Sequence, residues 1–476
     1  MDIYSSLRIT AIEKPLLALA NFVGLIAISR LLSPDEIGVQ VLAASVMMLA
    51  AELKNFGIGS FLIRHKNLTE AVINNTFTLA TVTSFTLALV LLISSNHIGC
   101  AFNDERVAHN IQIISVTFFF VPYVSVITAL LSKHFKFGKL AVNRVCEVLT
   151  LQLTTVFLIV IGLGYLSLPL GILVANLISF LLFIFQKPKS LKLKISFDGV
   201  REIFSSNMLI TLSAGLRRLI IVLPEILIGF FSSSANAALF SRGVGLVNFG
   251  TNTVLSFLQP LIAPYFAREN NSNNELSHAF SQVNRSVGMV IFPLFVGFSL
   301  LSPELINIFF GVAWLNSVEV TQYFAIAMLF KYSLVFFNEL LVTSHKEKDL
   351  YRLQIFELIL TTTAVITTAF ISWRYIALGL TITNFIVFLT KAAYLQQAYC
   401  GLFWKTFKAS FINYVTALIL IPIVLLCKFI APYLNILYTD FIVLFVSSGL
   451  FGIIWLFIIF FLEHPLYVSA KKVIKG

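Results

Sequence analysis

The sequence predicts an all-α polytopic membrane protein of about 14 transmembrane helices, built as two parallel six-helix repeat lobes plus two C-terminal helices. Three observations predict it: an apolar composition, a succession of long apolar runs, and the recurrence of one half of the chain in the other. Apolar residues make up 58% of the 476 residues and charged residues 12%, with 47 phenylalanines. A soluble chain carries roughly 45–50% apolar and about 25% charged residues. This one lacks the polar surface to cover several soluble cores, so lipid is the better solvent.

Apolar runs fall near residues 13–30, 38–62, 74–94, 112–132, 143–163, 166–186 and 208–231. Further runs lie near 237–262, 279–301, 319–343, 354–372, 376–398, 411–431 and 438–462. Each is long enough to span as a helix, which satisfies every backbone polar group within lipid. The runs do not alternate in polarity, which excludes a β-barrel. The first run lacks a small-residue cleavage site and reads as a retained helix rather than a signal peptide. Residues 1–12 read as a short amphipathic helix on the inner surface.

Topology follows from the loops. One set holds Arg64, Lys66, Lys133, Lys136, Lys139, Lys187, Lys189, Lys192, Lys194, Arg201 and Arg268. It continues with Lys346, Lys348, Arg352, Lys405, Lys408 and the tail Lys471, Lys472 and Lys475. The other set offers little beyond Arg106 and Arg374, with Arg30 at a helix end. Lys and Arg collect on cytoplasmic loops, so both termini are expected in the cytoplasm. The net charge of +11 is thereby explained by topology, and nucleic acid is not an expected partner.

The internal repeat rests on two matches. Glu147-Val-Leu-Thr-Leu-Gln-Leu-Thr-Thr-Val aligns with Glu357-Leu-Ile-Leu-Thr-Thr-Thr-Ala-Val at an offset of 210. Leu170-Gly-Ile-Leu-Val-Ala-Asn176 aligns with Leu378-Gly-Leu-Thr-Ile-Thr-Asn384 at an offset of 208. A six-helix unit restarts on the same side of the membrane, which makes the halves parallel repeats with substrate near the midplane between them. The expected organisation is a lobe over 1–186, a basic cytoplasmic linker over 187–207, a second lobe over 208–398, and two extra helices with a basic tail over 399–476.

Ordered motifs carry a resemblance. Ser29-Arg-Leu-Leu-Ser-Pro-Asp-Glu-Ile-Gly38 follows the first helix. Asn55-Phe-Gly-Ile-Gly59, Lys136-Phe-Gly-Lys-Leu-Ala141, Leu239-Phe-Ser-Arg-Gly243, Pro260-Leu-Ile-Ala-Pro264 and Phe310-Gly-Val-Ala-Trp314 follow in order. Over about residues 1–400 the chain resembles polysaccharide flippases (Wzx-type and teichuronic-acid-type) of the multidrug/oligosaccharidyl-lipid/polysaccharide exporter superfamily. One departure is Asn236-Ala237, where the family often has a glycine equivalent to Gly38. The resemblance implies translocation of an undecaprenyl-pyrophosphate-linked oligosaccharide by alternating access of two lobes. It implies membrane lipid, a polysaccharide polymerase and other glycan-assembly proteins as partners. The product feeds O-antigen, capsule or exopolysaccharide synthesis.

Charges inside spans cost roughly 2.5–3.5 kcal/mol each on insertion scales and usually face a cavity or a partner. Lys54, Arg217, Arg218, Arg242, Arg285 and Lys331 lie within predicted spans and form the expected cationic cleft for a pyrophosphate head group. Lys54 and Arg242 sit in helices that line the cleft in the resembling family. Each has a plainer reading: interface placement for Arg217 and Arg218, snorkelling for Arg285, pairing with an acid for Lys331. Lys391 and Lys428 sit near helix ends and read as snorkelling. Glu225, beside Pro224, and Glu339 are candidates for coupling to a proton or Na⁺. Glu147 and Glu357 read as structural partners of Arg144 and Arg352. Asn21, Asn176, Asn248, Asn252 and Asn384 either join helices by hydrogen bonds or contact sugars.

No GxSxG, HExxH, P-loop or paired-carboxylate constellation occurs, and no large external loop, so an enzyme is not expected. Cys100, Cys146, Cys400 and Cys427 form no metal-ligand spacing, and no metal or cofactor is expected. The closer rival is a multidrug or small-molecule antiporter of the same superfamily, whose cation site would be dominated by buried acids.

Overall fold

The computed structural model describes residues 3–55, 61–63, 68–187, 193–269, 273–431 and 439–461. The polypeptide forms two compact units, residues 1–238 and 239–476. The helices of the first are α1 (Ile3–Leu31), α2 (Pro34–Asn55), α3 (Glu70–Ala101), α4 (Glu105–Ser115), α5 (Val121–Lys133), α6 (Phe137–Val160), α7 (Ser167–Gln186) and α8 (Val200–Phe231). Helix α9 (Ser234–Arg268) begins in the first unit and continues into the second. The second holds α10 (Asn273–Leu300), α11 (Ser302–Phe309), α12 (Val318–Lys331), α13 (Phe337–Thr343), α14 (Glu347–Ile371), α15 (Tyr375–Ala398), α16 (Leu402–Ile430) and α17 (Thr439–Phe461).

Helix falls on every one of the apolar runs read from the sequence. Among the described residues, 10 helices are long and apolar enough to cross a membrane. The count rises to 11 if the pair Glu105–Phe119 and Val121–Lys133, bent by 50°, is one span. Helices α8 and α9 lie outside that count. Helix α8 carries Arg217, Arg218 and Glu225, and α9 is rich in Ser, Asn and Gly around Arg242. The surface suits lipid: Phe185, Ile93, Ile371 and Phe445 are largely exposed, while Asn110, Thr78, Asn413 and Thr416 are fully buried.

In the first unit α1 packs on α6, α2 on α8, α3 on α4, and α6 on α7. The start of α2 approaches the start of α9 so closely that a Cβ on Gly38 would lie 1.9 Å from the Ser234 carbonyl oxygen. Beside this contact Arg106 pairs with Asp35 at 2.6 Å and Asp104 at 2.9 Å, and the Ser234 hydroxyl donates to Asp104 at 2.7 Å. Burial alone would raise the Asp104 carboxyl. Donation from Arg106 and Ser234 outweighs it and holds the group below the ordinary carboxylate value. The α8–α9 turn lacks the family's glycine. Asn236 closes it by donating its amide Nδ2 to Ser232 Oγ at 2.7 Å and its backbone N–H to Ser233 Oγ at 3.2 Å.

In the second unit α10 packs on α16, α12 on α15, and α14 on α15. Helix α17 packs on α16 and α11. Trp455 donates to the Met289 carbonyl at 2.9 Å and Asn307 to Asp440 at 2.6 Å. Lys428, expected to snorkel, instead reaches Glu304 at 2.9 Å and donates to the Leu300 carbonyl at 2.8 Å. The Glu304 side chain is only 9% exposed, so the ammonium is its compensation for leaving solvent. Lys428→Met is expected to cost about 3 kcal/mol, the low end for stripping a buried charge of its partner. A drop of several degrees in the melting temperature of the purified protein, recovered when Glu304→Leu is added, is the expected readout.

The repeat is visible in backbone detail. Phe135 (φ 54°) and Lys136 precede α6, and His345 (φ 56°) and Lys346 precede α14. The offset is 345 − 135 = 210. A Cβ on Gly171 would meet Thr155, and one on Gly379 would meet Thr368, so the helix pair after this turn closes through a glycine in both halves.

Candidate functional site

A span that breaks inside lipid must satisfy its freed backbone groups, and such breaks are tolerated where they line a cavity or are buried in protein. The second unit has a helix break at residues 332–336, between α12 and α13, where Phe336 adopts φ 60° and ψ 26°. At 1.5 Å per residue the seven-residue α13 places the break about 10 Å from the α13–α14 turn. The break borders a cavity of about 480 Å³ lined by Lys331, Glu339, Glu357, Lys391, Asn252 and Asn338, with Tyr332, Phe336 and Phe337 beside them.

The four charges come from α12, α13, α14 and α15. Lys391 reaches Glu357 at 3.4 Å and lies over the Phe337 ring, 5.7 Å from its centroid. Lys331 and Asn338 are exposed and Glu339 is half-buried. Lys331 and Glu339 form no ion pair with any described residue. The cavity therefore has one closed ion pair and two unspent charges of opposite sign.

The remaining residues of the expected cationic cleft lie elsewhere. In the first unit Arg218 donates to Glu52 through Nη2 at 2.8 Å and Nε at 3.1 Å, which fixes α8 against α2. Arg217, the next residue on α8, is exposed. Lys54 lies on α2, but its side chain is outside the described residues. Glu225 accepts from Ser45 at 2.6 Å across the same helix pair. In the second unit the Arg242 guanidinium lies over Trp314, 5.6 Å from the ring centroid, with its Nε buried and unbonded. Arg285 is half-buried, and its backbone carbonyl accepts from Asn413 at 2.8 Å. Within the second unit, Lys331 alone of the expected basic residues lines the polar cavity.

Several sequence pairings are corrected. Arg144 pairs with Glu13 at 3.2 Å, while Glu147 accepts from Ser179 at 3.1 Å. Arg352 pairs with Asp349 at 3.8 Å, and Glu357 takes Lys391. Asn176 and Asn384 donate to the carbonyls of Ile172 and Leu380 in their own helices rather than to a neighbouring helix. The sequence reading missed Lys391 and Asn338 as cavity residues. For Lys391 the available signal was the repeat itself, because its equivalent in the first half is the apolar Phe183.

The model of the polysaccharide biosynthesis protein family matches residues 27–319. The teichuronic acid biosynthesis protein TuaB of Bacillus subtilis (strain 168) is 21% identical over 338 residues, covering 68% of both chains. The lipopolysaccharide biosynthesis protein WzxC of Escherichia coli (strain K12) is 21% identical over 340 residues, covering 69% of this chain and 67% of that one. Among solved structures, the lipid II flippase MurJ in an inward closed conformation superposes with a TM-score of 0.73 at 12% identity, covering 97% of this chain and 99% of that one. An inward-facing multidrug resistance MATE family transporter of the MOP superfamily gives 0.65 at 14% identity, covering 81% and 95%.

Proposed function

Because the chain belongs to the polysaccharide biosynthesis protein family, we propose that it is the flippase that carries a lipid-linked oligosaccharide repeat unit across the bacterial inner membrane. It is a multi-pass membrane transporter with the MOP-type fold, not an enzyme. The proposed substrate is an undecaprenyl-pyrophosphate-linked oligosaccharide destined for O-antigen, capsule or exopolysaccharide. Both termini are cytoplasmic in this reading, because the basic loops share one side. The working parts are two six-helix lobes, 1–186 and 208–398, that expose substrate alternately to the two leaflets.

The observation that carries the reading is the Arg217–Arg218 pair on α8. Two adjacent guanidinium groups on an apolar helix are costly unless a cavity or partner compensates them. Glu52 compensates Arg218, and Arg217 stays exposed beside it. Forked guanidinium donors suit the oxygens of a pyrophosphate. Lys54, Arg242 and Arg285 are proposed as further cationic contacts and Glu225 as a coupling group, while Lys331 and Glu339 line the cavity at the α12–α13 break.

The experiment is a host lacking this gene, from which lipids are extracted and cytoplasm-facing lipid-linked oligosaccharide is quantified. Accumulation with loss of surface polymer, reversed by the wild-type gene, is the expected result. Normal surface glycan without accumulation, together with lost export of a cationic dye, would replace the reading with small-molecule antiport.

A further inference from the structure

The geometry points to the cavity at the α12–α13 break as a subsite for a single pyranose ring of the oligosaccharide, separate from any phosphate contact. The inference rests on the lipid-linked oligosaccharide function proposed above.

The first argument is the comparison of the two halves. At the offset of 210 shared by the α6 and α14 turns, Lys331 corresponds to Val121, Glu339 to Ala129 and Glu357 to Glu147. At the offset of 208 of the glycine-closed helices, Lys391 corresponds to Phe183. Three of the four cavity charges are therefore apolar in the first half. There the helix break falls at Phe120, just before the equivalent of residues 332–336, and aromatic rings pack against one another beside it. Phe120 stacks on Phe180 at 5.1 Å, and Tyr123 meets Phe180 at 5.6 Å and Phe77 at 5.0 Å. The same scaffold is thus closed with rings in one half and lined with charge in the other. The break alone does not require the polar cavity.

The second argument is charge balance. Two ammonium groups face two carboxylates, which leaves no net charge to hold a lone cation or a phosphate stripped of water. A neutral polyol needs the opposite: many donors and acceptors at short range and no net field. Lys331 and Lys391 donate, Glu339 and Glu357 accept, and the Asn252 and Asn338 amides do both. The ring of Tyr332, Phe336 or Phe337 offers an apolar face for the C–H side of a pyranose. A volume of about 480 Å³ falls within the size range of small-ligand pockets.

The test is protection of a reporter cysteine at an exposed lining position, Asn338→Cys, against a membrane-impermeant thiosulfonate. The four native cysteines are replaced by serine, and the full chain is kept in membrane vesicles. Three preparations are compared: no lipid-linked glycan, added polyprenyl pyrophosphate, and the complete lipid-linked oligosaccharide. The expected result is labelling slowed roughly tenfold or more by the complete lipid only, with protection lost when Glu339→Gln is added. Protection by polyprenyl pyrophosphate alone would make this a head-group site and overturn the inference. Protection by sodium ions alone would make it a cation site and overturn it equally. Absence of protection in a reporter protein that still restores surface glycan in the deletion host would overturn the sugar subsite and leave the flippase reading standing. Failure of the wild-type chain in the deletion host would instead remove the reading on which the subsite rests.

Discussion

Exchanging the charges of one ion pair, Glu52→Arg with Arg218→Glu, is expected to give a protein that accumulates and melts like wild type yet transports poorly. The two effects separate because their sizes differ. The Arg218 and Glu52 side chains are 35% and 23% exposed, so the pair contributes at most about 1 kcal/mol to stability. A swapped pair restores that contribution. A charge-assisted hydrogen bond from Arg218 to a phosphate oxygen is worth about 1.5–3 kcal/mol, and its loss lowers transport roughly ten- to hundredfold. The swapped protein should therefore leave surface glycan reduced on that scale. Arg217→Ala should do the same without changing the melting temperature, since Arg217 is exposed. Full transport by the swapped protein would reduce Arg218 to a structural partner of Glu52 and remove it from the substrate path.

Gly38→Ala is expected to be the most damaging added methyl among the described glycines. The added Cβ would lie 1.9 Å from the Ser234 carbonyl oxygen and 2.2 Å from its carbon, and both are backbone atoms. No rotamer relieves such a contact. The starts of α2 and α9 must move apart, which also strains the Ser234–Asp104–Arg106–Asp35 cluster beside them. Overpacking of this kind costs about 1–3 kcal/mol and occasionally more. Gly245→Ala is the control, because nothing lies within 4 Å of the Cβ built there and Ala suits a helix interior better than Gly. Melting of the purified variants by tryptophan fluorescence should separate them, with Gly38→Ala well below wild type and Gly245→Ala at or above it. Equal melting would mean that α2 and α9 do not approach as described.

The apolar runs made the helices legible because lipid enforces length and composition together. The repeat was legible as well, since Gly171 and Gly379 close the corresponding helix pair in each half. Interruptions inside the runs were not. The segment 319–343 is mostly apolar, and nothing in Tyr-Ser-Leu-Val-Phe announces a left-handed residue at Phe336. Pro122 stood as a signal for the break at Phe120 in the first half, because proline is favoured at a helix start. Partner choice was the other gap. Periodicity places Glu357 on a face of α14 but does not say which helix packs there. Lys391, 34 residues later, was therefore passed over in favour of Arg352. Lys428 was read as snorkelling for the same reason, since Glu304 lies on a helix far away in sequence.

The central claim is that this chain moves a lipid-linked oligosaccharide between leaflets. The direct measurement is reconstitution of the purified protein into liposomes carrying that lipid, extracted from the deletion host, on both leaflets. A glycan-cleaving enzyme added outside removes the outer-leaflet sugar and leaves the inner-leaflet share protected in protein-free vesicles. With the wild-type protein the protected share is expected to disappear over time, and with Arg217→Ala to persist. A protected share that persists with folded wild-type protein, in vesicles supplied with a proton or sodium gradient, would contradict the claim.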